Sequence, residues 1–228
     1  GGGGSGECWF CLSSSKVEKH LVVSVGENLY VALAKGGLVD DHLLLVPVEH
    51  VRSARVLSTT ATTEYENLKD AIRHYFSSID AHSVFYERCV IVRGVLHLHL
   101  QAVPIPKSKV ATIDDVAAAW RNNSHGYQMR VMEPDESIGD LREPYFLVEL
   151  GDGTRLVHSI IPRSGFDLQF GRVVCAKLLN TPERADWRRC ALSTDAEKVI
   201  AKRVRKAFKP FAAAAEQRGG GSSSGDGG

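Results

Sequence analysis

The chain has 228 residues, 43% of them hydrophobic and 24% charged, with a formal net charge of +1. This is ordinary globular material, long enough for one large domain or two small ones. No apolar run reaches the roughly 18 residues a membrane span requires, and no charged-then-apolar leader precedes the first structured stretch, so neither a membrane span nor a secretory signal is expected.

The five cysteines are an odd set that includes Cys8-x-x-Cys11. Such a set suits a reducing, intracellular compartment and points to metal binding or free thiols rather than a disulfide framework. Gly/Ser-rich stretches at both ends lead us to expect flexible edges over 1–6 and 212–228, on a chain that reads as part of something longer. The small net charge hides an asymmetry. Residues 7–106 carry 9 Lys+Arg against 11 Asp+Glu, whereas 142–211 carry 14 against 8, so a polyanionic partner meets the second half first.

In chain order, the β-rich stretches 21–25 and 29–35 flank Gly26-Glu27-Asn28 and read as a hairpin. Gly36-Gly37 breaks the chain. The apolar run 42–47 reads as a buried strand stopped by Pro47, which places His50 just past a strand end. From 63 to 79 the apolar residues Tyr65, Leu68, Ile72, Tyr75 and Ile79 recur at helical spacing, and Thr63-x-x-Glu66 has the form of a capping box. Strands are expected at 83–87 and 95–103. The polar segment 107–141 reads as a surface connection with one helical piece at 116–120. A hairpin follows, 145–150 and 156–161 around Gly151-Asp152-Gly153, then a short helix at 173–179. A last helix opens with Thr194-x-x-Glu197. It carries Ile200, Val204 and Phe208 on one stripe and Lys198, Lys202, Arg203, Arg205, Lys206 and Lys209 on the other.

The chemistry concentrates in Leu96-His97-Leu98-His99-Leu100-Gln101. In a strand, strict alternation turns the leucines to a core and puts His97, His99 and Gln101 on the opposite face, about 6.5 Å apart. One imidazole can then hold a metal while its neighbour reaches another atom of a ligand. A solvated strand face that happens to carry two histidines is the alternative.

Cys8-x-x-Cys11, His42-x7-His50 and His97-x-His99-x-Gln101 together resemble the histidine-triad (HIT) superfamily of nucleotide hydrolases and transferases, most closely its galactose-phosphate uridylyltransferase branch. The resemblance implies zinc on Cys8, Cys11, His50 and His97, with His99 as the nucleophile on an α-phosphate and Gln101 beside it. Two thiolates with two imidazoles are the usual composition of a closed, structural zinc site; loose N-terminal thiols are the alternative.

A second resemblance covers nearly the whole folded region. Cys8-Trp-Phe-Cys-Leu12, Val17-Glu-Lys-His-Leu21, Ala34-Lys-Gly-Gly-Leu38 and Gln101-Ala-Val-Pro-Ile-Pro106 are similar to the first C-terminal domain of CwfJ-family proteins. Phe166-Asp-Leu-Gln-Phe-Gly-Arg172, Ala185-Asp-Trp-Arg-Arg-Cys190 and Lys206-Ala-Phe-Lys-Pro-Phe211 are similar to the second. Two departures stand out: Glu87-Arg88-Cys89 replaces Glu-Arg-Asn, and His99 stands where many members have Gln.

The expected fold is therefore α+β: a HIT-like antiparallel sheet with one main helix over 7–106, the connection 107–141, and a smaller α+β domain over 142–211 packed on it. The resemblance implies a nuclear factor of pre-mRNA splicing and intron lariat turnover. Its expected partners are intron lariat or branched RNA, the lariat debranching enzyme and spliceosomal proteins. Arg172, Trp187, Arg188, Arg189, Lys202, Arg203, Arg205 and Lys206 are the expected RNA contacts, the cations by phosphate and Trp187 by stacking or, alternatively, as a core anchor. A working HIT-type enzyme using His99 and a zinc-stapled protein scaffold are the alternative functions.

Overall fold

Strands that are apolar on both faces need a covering layer on each side, and most strands of this chain are of that kind. The computed structural model describes residues 8–91 and 96–219. Its strands are β1 (Val22–Val25), β2 (Leu29–Leu33), β3 (Leu43–Pro47), β4 (Ala81–Cys89), β5 (Leu100–Pro106), β6 (Arg130–Val131), β7 (Tyr145–Leu150) and β8 (Arg155–Ser159). The helices are α1 (Thr59–Ser78), α2 (Ile113–Arg121), α3 (Phe170–Leu178) and α4 (Thr194–Gly219). All the strands join one antiparallel sheet in the order β1-β2-β3-β5-β4-β7-β8-β6. The α+β class expected from sequence is what the chain adopts.

Helices α1 and α4 cover one face, where Leu29, Val31, Leu43, Phe85, Leu100 and Ala102 meet Ile72, Phe76, Val204 and Phe208. The other face is covered by α2 and α3, with Val84, Tyr86, Val103 and Ile105 against Trp120, Phe170 and Val174. The alternation along β5 thus sends even-numbered residues to the α1/α4 core and odd-numbered ones to the opposite face.

The second half continues the sheet rather than standing beside it. β7 pairs with β4 from Val84↔Leu150 to Cys89↔Tyr145. Two arginines add a clasp across the other end. Arg172 donates to the Gly36, Arg184 and Ala185 carbonyls, and Arg184 donates to those of Gly37 and Leu38. Gly36 is required there: its φ is +59°, and a Cβ would lie 2.3 Å from the Trp187 carbonyl oxygen.

Several local expectations are corrected. Helix α1 starts one turn early because Ser58 caps it, accepting from the Ala61 amide, while Thr63 lies inside the helix and bonds back to the Thr59 carbonyl. At α4 the cap is Ser193, whose hydroxyl accepts from Ala196; Glu197 turns inward to His20 instead of closing a capping box. The segment 107–141 is more than a surface crossing, since Trp120 is fully buried and β6 pairs with β8. Residues 212–219, read as the start of a flexible tail, continue α4 and bury Ala212 and Ala215. The ladder of β5 begins at Leu100 rather than including 96–99, although Leu98 is already held by its amide on the Val51 carbonyl; position 95 of the expected strand lies outside the described residues. The expected flexible ends 1–6 and 220–228 lie outside the described residues.

Because both halves share one sheet and the α1/α4 core, they should unfold together. Phe208→Ala, at a fully buried ring packed edge-on to Tyr75 at 5.7 Å, is expected to cost about 3–5 kcal/mol. Urea unfolding followed by tryptophan fluorescence, which reads the buried Trp120 on the opposite face together with Trp9 and Trp187, and by far-UV circular dichroism should show one coincident, lowered transition. Two separate transitions would contradict a shared core.

Candidate metal centre and histidine face

Pro47 ends β3, and the chain turns so that His50 projects beside the segment that leads into β5. The N-terminal residues 8–12 lie against this corner, fixed by the Tyr30 hydroxyl donating to the Phe10 carbonyl at 2.6 Å. That placement brings Cys8, Cys11, His50 and His97 together, with their ligand atoms all within 4.8 Å of one another. Cys8 Sγ is 3.3 Å from His97 Nδ1, and Cys11 Sγ is 3.2 Å from His50 Nδ1 and 3.6 Å from His97 Nδ1. A tetrahedral ion with bonds of roughly 2.0–2.3 Å to nitrogen and sulfur has ligand–ligand edges of about 3.3–3.8 Å, so the cluster has the size of such a site.

The protonation chemistry fits a metal too. Burial holds His97 down to about 4, opposed by its bond to the Pro47 carbonyl. Its Nε2–H donates to that carbonyl at 3.0 Å, which leaves the Nδ1 lone pair facing the sulfurs. Burial, and then the neighbouring Cys8, push the Cys11 thiol up to about 11. A bound cation reverses that cost by supplying the opposite charge.

His99 stands next along the same face. Its Nδ1–H donates to the His97 carbonyl at 2.7 Å, and the Phe10 ring stacks on it at 4.4 Å. Burial, then the nearby Arg88 charge, hold its imidazole down to about 4 against that backbone bond. The neutral ring therefore carries its lone pair on Nε2, the form a nucleophile or a phosphate-oxygen partner of a protonated ring starts from. Gln101 is less free than expected. Its Oε1 accepts from His42 Nε2 at 2.8 Å, while His42 Nδ1 accepts from the Leu38 amide at 3.1 Å.

The expected RNA contacts divide. Arg172 is a correction: it is buried, and three backbone carbonyls take its guanidinium, so it serves the fold rather than a phosphate. Arg203 is tied by two bonds to Asp41, and Arg205 donates to the His20 and Val22 carbonyls. Trp187 is half-buried, with Arg188 over its ring at 5.3 Å and also near Asp186. Arg189, Lys202 and Lys206 are exposed, with no carboxylate partner among the described residues. Lys202 and Lys206 sit on α4, across the sheet from His99.

Reading the sequence missed four residues that shape this face. His42 and Phe10 carry a signal only once their partners are known. Arg88 matches the family's Glu-Arg-Asn, from which the chain differs only at Cys89, so the sequence assigns it no role of its own. Trp9, flanked by the two cysteines, is 58% exposed beside a buried cluster, and that exposure was not legible.

The His42 environment gives a pH test. Burial first, and then Arg172, hold this imidazole down to about 3, from an ordinary 6.5. Between those values the unfolded chain binds a proton at His42 that the folded chain does not, so stability rises with pH through this window and falls as the medium acidifies. His42→Gln should flatten the slope of unfolding free energy between pH 4 and 6.5 relative to the parent. An unchanged slope would show that His42 is charged or solvated in the fold.

Families and relatives among known proteins match nearly the whole chain. A family described as "Protein similar to CwfJ C-terminal" matches residues 3–117, and one described as "Protein similar to CwfJ C-terminus 2" matches 122–213. The chain is 44% identical over 213 residues to mouse CWF19-like protein 1, covering 90% of this chain and 38% of that protein. It is 38% identical to Arabidopsis thaliana zinc finger CCCH domain-containing protein 64, over 91% of this chain and 36% of the relative. Against Schizosaccharomyces pombe CWF19-like protein mug161 the identity is 34%, over 91% and 38%. The chain thus spans well under half the length of these relatives.

Proposed function

The chain belongs to the CwfJ C-terminal family, and from that premise we propose that it is an RNA-binding module of pre-mRNA splicing and intron lariat turnover. It acts in the nucleus, binds branched or lariat RNA, and presents that RNA to the lariat debranching enzyme among spliceosomal proteins. The observation that carries the RNA reading is the row Lys202, Lys206 and Lys209 on α4, exposed and without carboxylate partners among the described residues. Cations in a row with no internal partner remain available to neutralise phosphates. Trp187, Arg188 and Arg189 extend the basic surface at the end of the sheet.

Zinc held by Cys8, Cys11, His50 and His97 is part of the proposal. Two cysteines and two histidines complete a tetrahedron without an open position, so the ion would be structural and would leave no site for water or substrate. It would keep both thiols ionised and hold residues 8–12 against the segments after β3 and before β5 that carry His50 and His97. Elemental analysis of purified protein should find one zinc per chain in this cluster, lost in Cys8→Ser/His97→Ala. Zinc undiminished in that variant would remove the assignment.

For RNA, Lys202→Glu with Lys206→Glu should weaken binding to branched and linear oligonucleotides at least tenfold. The slope of log affinity against log salt should fall by about 2 if each lysine neutralises one phosphate. His99→Ala should weaken it only modestly. Binding that ignores both the charge reversal and salt would favour a purely protein-binding scaffold.

One observation favours a second reading, a HIT-type nucleotide hydrolase or nucleotidyltransferase. His99 donates from Nδ1 and so keeps Nε2 available for attack on phosphorus, with the Arg88 charge nearby. Incubation with capped, branched and adenylated oligonucleotides separates the readings: cleavage abolished by His99→Ala, with a trapped phosphoramidate, would establish the enzyme.

A further inference from the structure

The segment just before β1 and the first turn of α4 meet at a second cluster of ligating side chains. Glu18 and His20 flank Lys19 at the short 3-10 turn that leads into β1, and Glu197 points inward from α4. One ligand atom from each of the three lies within 4.8 Å of the other two. His20 Nε2 is 2.7 Å from Glu197 Oε2.

The cluster contains more acceptors than donors. Glu197 is only 5% exposed, and its Oε1 is buried without any hydrogen-bond partner. Glu18 Oε2 is likewise buried and unpartnered, while its Oε1 takes the Lys35 ammonium. Two carboxylates thus face one imidazole and one ammonium, with one oxygen on each left without a donor. Such an arrangement is expensive in a protein interior unless a cation or ordered water completes it. Arg205 clamps the His20 and Val22 carbonyls and so fixes the segment in place. A cavity of about 30 Å³ adjoins Glu197, bordered by Leu21, Arg184 and Cys190, with room for about one water molecule as a further ligand.

We propose that Glu18, His20 and Glu197 form a divalent-cation site that pins the segment before β1 to the first turn of α4. One imidazole and two carboxylates suit Mn²⁺, Fe²⁺ or Zn²⁺ and contain no thiolate, which sets this site apart chemically from the Cys8/Cys11 cluster. Mn²⁺ is therefore the selective probe, because it prefers oxygen and nitrogen donors and competes poorly for thiolates. Occupation ties the helix carrying the lysine row to the segment that follows the cysteine pair.

The test is titration of the full chain with Mn²⁺, read by the loss of the free-ion electron paramagnetic resonance signal and by thermal denaturation. The parent should bind one Mn²⁺ and melt at a higher temperature with it. Glu18→Gln and His20→Ala should each weaken Mn²⁺ at least tenfold and abolish the thermal shift, whereas Cys8→Ser should leave Mn²⁺ binding unchanged. Glu18 is partly exposed, so Glu18→Gln keeps the test valid if changes at Glu197 unfold the chain. No Mn²⁺ binding by the parent, or binding that survives in both Glu18→Gln and His20→Ala, overturns the site and leaves His20–Glu197 a simple ion pair.

Discussion

The antiparallel ladder between β4 and β7 is the constraint on which the rest depends. Through it, a chain whose sequence reads as two successive units becomes one sheet, and each of the two main cores draws residues from both halves. The junction is reinforced where polar groups must enter it. Glu149 of β7 is buried, and the Lys69 ammonium reaches both its oxygens at 2.8 and 2.9 Å, with Arg73 beside them. Glu87 of β4 accepts from the Tyr145 hydroxyl and the Ala54 amide. Burial pushes the Glu87 carboxyl up to about 7, so the fold tolerates it by hydrogen bonds and partial neutralisation. Removing one partner from either group would leave a buried charge or donor exposed to the core, which is why the ladder and its polar contacts stand or fall together.

With the sheet fixed, two histidines two residues apart serve different ends. His97 bonds through Nε2 to Pro47 and gives Nδ1 to the sulfurs; His99 bonds through Nδ1 to the backbone and keeps Nε2. The choice of tautomer is made by which carbonyl lies within reach, and the backbone of β3 and of residue 97 supplies both. Phe10 links the two, edge-on to His97 at 6.1 Å and stacked on His99. Anything that fixes residues 8–12 also fixes the surroundings of His99.

Much of this was legible in the sequence. Alternation along 96–105 gave the two faces correctly, because period-2 patterning is a direct consequence of strand geometry. The ligand set is what the resemblance to the histidine-triad superfamily implies, and two cysteines with two histidines are the usual composition of a closed zinc site. Helix starts were misread for a physical reason: Thr63 and Thr194 have the right partner three residues on, but Ser58 and Ser193 stand one step before helices that begin earlier. The flexible edge expected over 212–228 from the Gly/Ser-rich end takes in the alanines after Phe211 as well. Alanine is nevertheless the strongest helix former, and Ala212 and Ala215 are spaced to face α1. Charge counting was the weakest guide. It finds an excess of arginine in the second half, yet it cannot tell a guanidinium that holds carbonyls, as in Arg172 and Arg184, from one that faces solvent.

That distinction reshapes the RNA reading. Once Arg172, Arg203 and Arg205 are assigned to the fold, the basic surface contracts to the α4 lysines and to Arg188 and Arg189 at the sheet end. The α4 lysines lie over one face of the sheet, and His99 and Trp9 lie with the other. A helix layer and a sheet are each about 10 Å deep, so roughly 20 Å of protein separates the two surfaces. A single strand engaging both must turn around an edge of the sheet, at a cost in bending and ordering. On the proposed reading, a branched RNA can instead lay one arm along the lysine row and bring another past an edge of the sheet. On that reading, the topology of the sheet, rather than any base contact, is what favours a branched ligand over a linear one.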